Sequence, residues 1–290
     1  MTDSKSHTDE RKSDLRNREK DMQQIKEYKL WDDGAPLSEG FEATVTYYPT
    51  RRKAGRGAVI IFPGGGYASL CDWEGDTYAN MLNTLGIDAF IVKSRVKPYT
   101  FPSPLLDARR AVRYVRANSE TFGIDKDKIA VIGSSAGGHL AALLSTYRGE
   151  FETEGVDAID KEDYLPNAQI LCYPVISMYD EKVTHLRSNE NFLGKDWTVD
   201  MARTVSPDII ADEKTPTAFI WHTADDKYVS VLNSLRYAQR LHEVNVPAEV
   251  LIYPRGWHGQ SIAAHSALNR QWWHELDRWL RYNGFIVGNE

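Results

Sequence analysis

Apolar positions along the chain follow two patterns, short continuous runs and longer stretches with the spacing of an amphipathic helix. The continuous runs predict strands buried on both faces, whereas a spacing of about 3.6 residues predicts helices with one buried face. The runs lie at residues 43–48, 58–62, 89–92, 128–132, 169–173, 218–222 and 249–253. The helical stretches lie at 76–85, 105–118, 136–147, 231–243 and 268–282.

The alternation of strands with helices predicts an α/β fold. We expect a doubly wound, mostly parallel sheet flanked by helices, which is a three-layer αβα sandwich. The last helix supports this interpretation, because one stripe along it is apolar and is expected to pack into the core. That stripe consists of Leu268, Trp272, Leu276 and Trp279 with Leu280.

Two segments carry neither pattern. Residues 1–29 are mostly charged and polar, and such a composition cannot bury enough apolar surface to offset its ordering entropy. We therefore expect a solvated tail without a secretory signal, followed by a single domain over residues 30–290. The stretch 174–216 has no clear periodicity, and we expect a small cap insertion over the functional site there.

Composition and charge narrow the possible partners and the location. The net charge of the 290-residue chain is −6 with both signs interspersed, which disfavours nucleic acid or an anionic membrane as the main partner. No apolar run reaches the roughly 20 residues that a membrane-spanning helix needs. Cys71 and Cys172 are too few for a disulfide framework and lack metal-ligand spacing. We expect reduced thiols and a cytoplasmic protein, while the oligomeric state stays open.

The strongest chemical signal is the segment Gly133-Ser-Ser-Ala-Gly137, which matches the pattern G-x-S-x-G. An apolar strand leads directly into it and a helix leads out, as in the turn that exposes a nucleophilic serine above a sheet. This context predicts Ser135 as the nucleophile rather than a glycine-rich turn that merely contains serine. Glycine is expected at positions 133 and 137 because a side chain there would collide with the neighbouring strand and helix.

A serine hydroxyl needs a base, and the base needs an orienting acid. In this architecture the order along the chain is Ser, then Asp or Glu, then His. Asp225 and Asp226 both follow the strand at 218–222. We favour Asp226, which lies three residues before Val229, and expect Asp225 to cap the next helix. His258 lies in a glycine-flanked loop after the last strand, and we predict it as the base.

The remaining histidines have structural interpretations, and the sequence predicts no metal site and no cofactor. His139 is expected to pack inside the helix after Ser135, and His222 to form hydrogen bonds at the end of its strand. Four further histidines are expected at the surface or on helices: His185, His242, His265 and His274.

A serine nucleophile that attacks a carbonyl group also needs hydrogen-bond donors to stabilise the oxyanion that forms. Three glycines follow the first buried strand in Pro63-Gly-Gly-Gly-Tyr67, where the glycine-rich loop of lipases and esterases lies. We assign the oxyanion hole to the backbone N–H groups of Gly65, Gly66 and Ala136. A phosphate-binding loop is disfavoured, because the chain lacks both G-x-x-x-x-G-K-[ST] and the G-x-G-x-x-G spacing.

Four segments together resemble the bacterial acetyl esterase and acetyl xylan esterase family of the α/β-hydrolase superfamily. They are Pro63–Tyr67, Trp73–Gly75, Gly133–His139 and His222–Asp226. The resemblance runs from about residue 30 to the last helix. Hormone-sensitive-lipase relatives have His-Gly-Gly-Gly where this chain has Pro63, which favours the carbohydrate-esterase branch.

The resemblance implies a serine esterase that removes short acyl groups, chiefly acetyl, through an acyl-enzyme. The implied partner is a small acylated carbohydrate, such as an acetylated xylo-oligosaccharide. Tyr67, Trp73 and Glu74 are the expected substrate-binding residues, since an exposed aromatic ring and a carboxylate suit contact with a sugar. The alternative for Trp73 is a side chain packed into the core at the start of a helix.

Three other functions compete with this one. A peptidase or amidase, or a feruloyl-type esterase, could use the same three residues. A non-catalytic binding protein on this fold is the third, but such proteins commonly lose the nucleophile or the base, whereas Ser135, Asp226 and His258 are all present. Labelling with a fluorophosphonate separates an enzyme from a binding protein.

Overall fold

The computed structural model describes residues 24–287 except Glu39, Arg52 and Val156. Most of the expected N-terminal tail, residues 1–23, therefore lies outside the described residues. In the described part, eight strands form one sheet in the order β1-β2-β4-β3-β5-β6-β7-β8. The strands are β1 Lys26–Lys29, β2 Thr44–Tyr48, β3 Ala58–Phe62, β4 Asp88–Lys93, β5 Ile129–Ser134, β6 Ala168–Cys172, β7 Thr217–Thr223 and β8 Ala248–Tyr253.

Among the described strands, only β2 runs opposite to the others. β1 and β2 pair antiparallel with each other, and β2 pairs antiparallel with β4. All pairs from β4 through β8 are parallel. β3, β5 and β6 are buried along their whole length, which is why they appear in the sequence as continuous apolar runs.

The helices cover both faces of this sheet. They are α1 Asp72–Thr84, α2 Ser103–Ala117, α3 Ser119–Phe122, α4 Ala136–Thr146, α5 Leu186–Leu193, α6 Val199–Thr204, α7 Pro207–Ile210, α8 Leu232–Glu243 and α9 Trp272–Tyr282. Buried side chains of α1 and α9 pack with one face of the sheet, and those of α2, α4 and α8 pack with the other. The predicted three-layer α/β-hydrolase fold is confirmed.

The ordered chain begins earlier than expected. Lys26–Lys29, assigned from sequence to the tail, forms the edge strand β1, and Tyr28 pairs with Val45 of β2. Its segment KEYK has no apolar run, because the strand lies at the edge of the sheet and is largely exposed. The Tyr28 ring packs against Phe122 with a centroid distance of 5.7 Å, a contact that local sequence cannot reveal.

Two other expectations need correction. The last helix begins at Trp272, and Leu268, expected on its buried stripe, precedes it and is 52% exposed. The helix expected from residue 76 begins one turn earlier, at Asp72.

The stretch 174–216 contains α5, α6 and α7, which are too short to give a clear periodicity. Its function as a cap stays a prediction.

The parallel strands place the predicted functional residues at one edge of the sheet. Loops that follow β3, β5, β7 and β8 contain the glycine loop, Ser135, Asp226 and His258, respectively. Carboxyl ends of parallel strands meet at the same edge, where open α/β sheets bind ligands. Within residues 24–287, no helix has the length and apolar character to cross a membrane.

Candidate active site

Ser135 occupies a strained turn between β5 and α4. Its backbone has φ +53° and ψ −120°, a region that costs a non-glycine residue free energy. Two backbone hydrogen bonds hold it there. The Ser135 N–H donates to Cys172 O at 3.0 Å, and the Val175 N–H donates to Ser135 O at 3.0 Å. The end of β6 therefore fixes the turn from both sides.

Close packing explains the glycines on either side of this turn. A Cβ atom on Gly133 would lie 2.1 Å from Gly137 O, and one on Gly137 would lie 2.0 Å from Phe62 O. Both distances are far shorter than any real contact, so α4 can approach β3 and β5 only without these side chains. The predicted steric requirement for glycine at 133 and 137 is confirmed.

Ser135, His258 and Asp226 lie in one hydrogen-bonded line. The Ser135 hydroxyl donates to His258 Nε2 with a distance of 2.9 Å. His258 Nδ1–H donates to Asp226 Oδ2 at 2.7 Å. This arrangement leaves Nε2 unprotonated and facing the serine, which a base requires.

The Asp226 carboxylate is held ionised by its surroundings. Burial would raise its pKa, but hydrogen bonds from His222 and His258 outweigh burial and hold the pKa well below its usual range. Its other oxygen, Oδ1, accepts from the N–H groups of Tyr228 and Val229 at 2.8 and 3.0 Å. The carboxylate is thus fixed on both sides.

Asp225 and His222 support this line from neighbouring positions. Asp225 Oδ1 accepts from the Gly256 N–H at 2.7 Å, so it anchors the loop that carries His258. The expectation that Asp225 caps the next helix is therefore wrong. His222 has no exposed surface, and its Nε2 lies 3.0 Å from Val229 O and 3.3 Å from Asp226 Oδ2.

The glycine loop lies directly over Ser135. Gly65 and Gly66 have φ +132° and +63°, values that suit glycine. Their backbone N–H groups form no hydrogen bond with any described residue, whereas the Gly64 N–H donates to Glu74 Oε2 at 2.9 Å. Ala136 is the first residue of α4, so its N–H is one of the donors that a helix leaves unpaired.

The glycine loop faces a cavity of about 340 Å³, a volume within the range of small-molecule sites. Ser135, His258 and the three glycines line it. Trp73 also lines it and is 51% exposed, which excludes the alternative of a core side chain. The structure therefore brings one predicted substrate-binding residue to the cavity wall with an open ring.

Two other residues predicted to bind substrate have their polar atoms inside the protein. The Tyr67 hydroxyl donates to His139 Nδ1 at 2.6 Å, and both residues are buried. Glu74 reaches the cavity lining but is 3% exposed, and both of its oxygens accept hydrogen bonds from protein groups. Tyr67 does not line the cavity, and it lies behind the glycine loop instead.

Several lining residues were not predicted from sequence, among them His185, Arg187 and Tyr228. His185, expected at the surface or on a helix, directly precedes α5 and is half-buried, and burial, with the nearby His258 and Arg187, lowers its pKa. Arg187 forms no ion pair with any described residue. The positions of His185 and Arg187 follow from the path of residues 174–216 through the fold. No local sequence pattern indicates that path. Tyr228, two residues after Asp226, could have been found from the predicted loop.

The described residues contain larger cavities away from this line, including one of about 570 Å³ beside Tyr48 and Arg51. None of these cavities is lined by a nucleophile next to a base. Among residues 24–287 no group of three or more His, Cys, Asp or Glu side chains could hold a metal ion.

Comparison with known proteins agrees with this geometry. The sequence profile of the BD-FAE family matches residues 46–241, a region that contains the glycine loop, Ser135 and Asp226. The chain belongs to the BD-FAE family. The predicted family resemblance is confirmed.

Relatives of this BD-FAE chain include proteins named for ester and xylan hydrolysis. The structure of an acetyl ester-xyloside bifunctional hydrolase from Caldicellulosiruptor lactoaceticus is 36% identical, with a TM-score of 0.85 over 90% of this chain and 97% of that one. An acetylxylan esterase from Xylanibacter ruminicola is 31% identical over 84% of this chain, and endo-1,4-beta-xylanase B from Butyrivibrio fibrisolvens is 31% identical over 78%. The chain spans only 49% and 36% of the length of these last two relatives.

Proposed function

We propose that this BD-FAE family member is a serine esterase that removes acetyl groups from carbohydrates, such as acetylated xylo-oligosaccharides. The observation that carries the proposal is the hydrogen-bonded line from Ser135 through His258 to Asp226, which ends in an open cavity. The names of its relatives support the same chemistry.

In each half of the reaction His258 first accepts a proton and then donates it. Ser135 Oγ bonds to the acyl carbon while His258 Nε2 takes the hydroxyl proton, and the carbonyl electron pair moves to oxygen. Collapse of this oxyanion breaks the bond to the sugar oxygen, which receives the proton from Nε2. Water then attacks the acyl-enzyme by the same route, and acetate and free Ser135 result.

The oxyanion is stabilised by the N–H groups of Gly65, Gly66 and Ala136. Donors held in place before the reaction stabilise developing charge without reorganisation. Support for these donors comes from the unpaired N–H groups of the two glycines and from the position of Ala136 at the start of α4. The positive end of the α4 dipole adds to the effect.

A small acyl group attached to a sugar suits the cavity. Its volume of about 340 Å³ is near the lower end for ligand sites. Trp73 and Tyr228 are 51% and 72% exposed beside it, and open aromatic rings can pack against the faces of a sugar ring. The segment 174–216, which we propose as the cap, contributes His185 and Arg187. It contains many charged residues, unlike the apolar lid that an interfacial lipase needs.

A feruloyl-type esterase and a peptidase or amidase remain the alternatives on the same residues. A bulky aromatic acyl group would need a larger share of the cavity volume than acetyl, and no described acidic side chain with a free carboxylate lines the cavity to bind an amine.

We also propose a reducing, cytoplasmic location, because both cysteines are free thiols.

A substrate panel tests the proposal. Activity on p-nitrophenyl esters should be highest at acetate or propionate and fall steeply by about eight carbons, because each methylene left unburied forfeits about 0.8 kcal/mol. Acetate release from acetylated xylo-oligosaccharides should exceed hydrolysis of feruloyl esters, peptides and triglyceride emulsions. Maximal turnover on emulsified lipid or on an amide would contradict the proposal.

A further inference from the structure

Glu74 is a buried carboxylate that no step of the proposed reaction uses. It lies in the first turn of α1, under the glycine loop, and is 3% exposed. Its Oε2 accepts from the Gly64 N–H at 2.9 Å and from the Ser134 hydroxyl. Its Oε1 accepts from the Tyr173 hydroxyl at 2.7 Å.

Glu74 forms no ion pair with any residue that the structure describes. Burying an anion is costly unless hydrogen bonds replace its hydration. Here three donors replace that hydration, and the positive end of the α1 dipole favours the negative charge as well. A neutral side chain would avoid that cost but could not accept from all three donors at once.

The three donors belong to three parts of the site. Gly64 begins the glycine loop, and Ser134 directly precedes the nucleophile. Tyr173 follows β6, and its hydroxyl accepts from the Ser261 N–H at 2.9 Å, three residues beyond His258. The Tyr173 ring also lies edge-on to the His258 imidazole with a centroid distance of 5.1 Å.

We propose that Glu74 is a positioning residue that fixes the glycine loop, the serine turn and the histidine loop relative to one another. The inference rests on the proposed esterase function and replaces the expected role of Glu74 in substrate binding. Through Gly64 it sets the height of the oxyanion donors over Ser135. Through Tyr173 it supports the loop that carries His258.

The contact at Gly64 leaves little tolerance for movement. A Cβ atom built on Gly64 would lie 2.7 Å from Glu74 Oε2 and 3.3 Å from Ser135 Cβ, so the loop already touches both residues. A misplacement of about 1 Å in a reactive geometry can lower a rate by about 100-fold. Loss of the carboxylate should therefore reduce the rate of the chemical step while substrate binding changes little.

The test compares Glu74→Gln with the wild-type full-length chain. Glutamine has one acceptor oxygen in place of two, so its NH₂ group must face either the Tyr173 hydroxyl or the donors on the other side. We expect kcat for p-nitrophenyl acetate to fall by about 10- to 100-fold, with KM changed by less than about threefold. Glu74→Asp keeps the charge but loses reach, and should not restore kcat.

Tyr173→Phe keeps the test decisive if Glu74→Gln does not fold. It removes one hydroxyl, and we expect a smaller fall in kcat, again with little change in KM. Because both residues act through one network, the double variant should lose less activity than the product of the two single effects.

Asp88→Asn is the control at a distance from the site. Asp88 is also a buried carboxylate that accepts a backbone N–H, from Thr50 at 2.8 Å, although it pairs with Lys53 at 2.7 Å. It lies at the opposite end of the sheet. This variant should lower the melting temperature and keep kcat within about twofold. If Glu74→Gln and Tyr173→Phe also keep wild-type kcat, or change only KM, the inference is wrong. A wild-type protein with no esterase activity would instead overturn the proposed function.

Discussion

At the scale of single residues, the site depends on groups whose local conformation or charge is unfavourable in isolation. Ser135 has a positive φ, and the buried Asp226 is held ionised by two histidines. Both costs are offset by hydrogen bonds from neighbouring loops. Such features concentrate where function requires a fixed geometry.

Substitution of the three aligned residues gives the first prediction. Ser135→Ala and His258→Ala should each lower kcat by about 10⁴-fold or more, and the double variant should lose little more, because the residues act as a unit. Asp226→Asn should cost somewhat less. Steady-state kinetics on p-nitrophenyl acetate provide the measurement.

Asp225→Asn serves as the control for this series. Asparagine keeps the Oδ1 acceptor that binds the Gly256 N–H, so most activity should remain. If Asp225→Asn is as damaging as Asp226→Asn, the assignment of the orienting acid is wrong.

Residue identity alone predicted Ser135, Asp226 and His258, because each follows a strand in the required order. It placed His185 at the surface or on a helix and Tyr67 at the substrate, and it did not indicate that His185 lines the cavity or that the Tyr67 hydroxyl binds His139. Both positions have one cause, since the path of residues 174–216 and the depth of the glycine loop are set by tertiary packing. Neither the path nor the depth can be inferred from local sequence.

At the scale of elements, the close approach of α4 to β3 allows the serine turn to form. Gly137→Ala would place a methyl group 2.0 Å from Phe62 O, so helix and strand must separate. We expect the free energy of unfolding to fall by about 3 kcal/mol or more, with loss of esterase activity. Urea unfolding followed by tryptophan fluorescence measures the change.

Gly40→Ala is the control for this substitution. Gly40 has a positive φ, +85°, which the helical Gly137 lacks, but a Cβ atom there would have nothing within 4 Å. Its cost should be about 1 kcal/mol from backbone strain alone. Equal effects of the two substitutions would show that collision with β3 is not what makes Gly137 necessary.

Strand and helix positions were predictable where burial leaves a periodic pattern. β3 matches its predicted range of 58–62, and the other predicted strands differ by one or two residues at their ends. β1 was not predictable, because an exposed edge strand of mostly charged residues resembles a solvated tail. Its stability comes from pairing with β2, which is distant in sequence.

At the scale of the whole molecule, His139 joins three separate segments. It lies in α4, accepts from the Tyr67 hydroxyl beside the glycine loop, and donates from Nε2 to Val205 O at 2.8 Å between α6 and α7. Burial lowers its pKa to about 4, although the hydrogen bond to Val205 opposes this shift. His139 is therefore neutral in the folded protein at neutral pH.

This shift predicts a loss of stability in acid. In the unfolded chain His139 titrates near 6.5, so its contribution is fully present above that pH. It is lost as the pH falls towards the folded value of about 4, because only the unfolded state binds the proton. By pH 5 the loss from this site should reach about 2 kcal/mol.

Urea unfolding at pH 7.5 and pH 5 measures the effect in the wild-type protein and in His139→Gln, which has no titrating group at this position. The wild-type protein should lose about 2 kcal/mol more than the variant over this interval. Equal losses in the two proteins would contradict a neutral, buried His139.

The central claim, that Ser135 is the nucleophile of a carbohydrate esterase, is tested most directly by mass-spectrometric mapping of the protein after reaction with a fluorophosphonate. The label should be on Ser135, should be absent in Ser135→Ala, and should form more slowly when acetylated xylo-oligosaccharide competes for the cavity. Absence of labelling, or a label on Ser134 or any other residue, would contradict the claim.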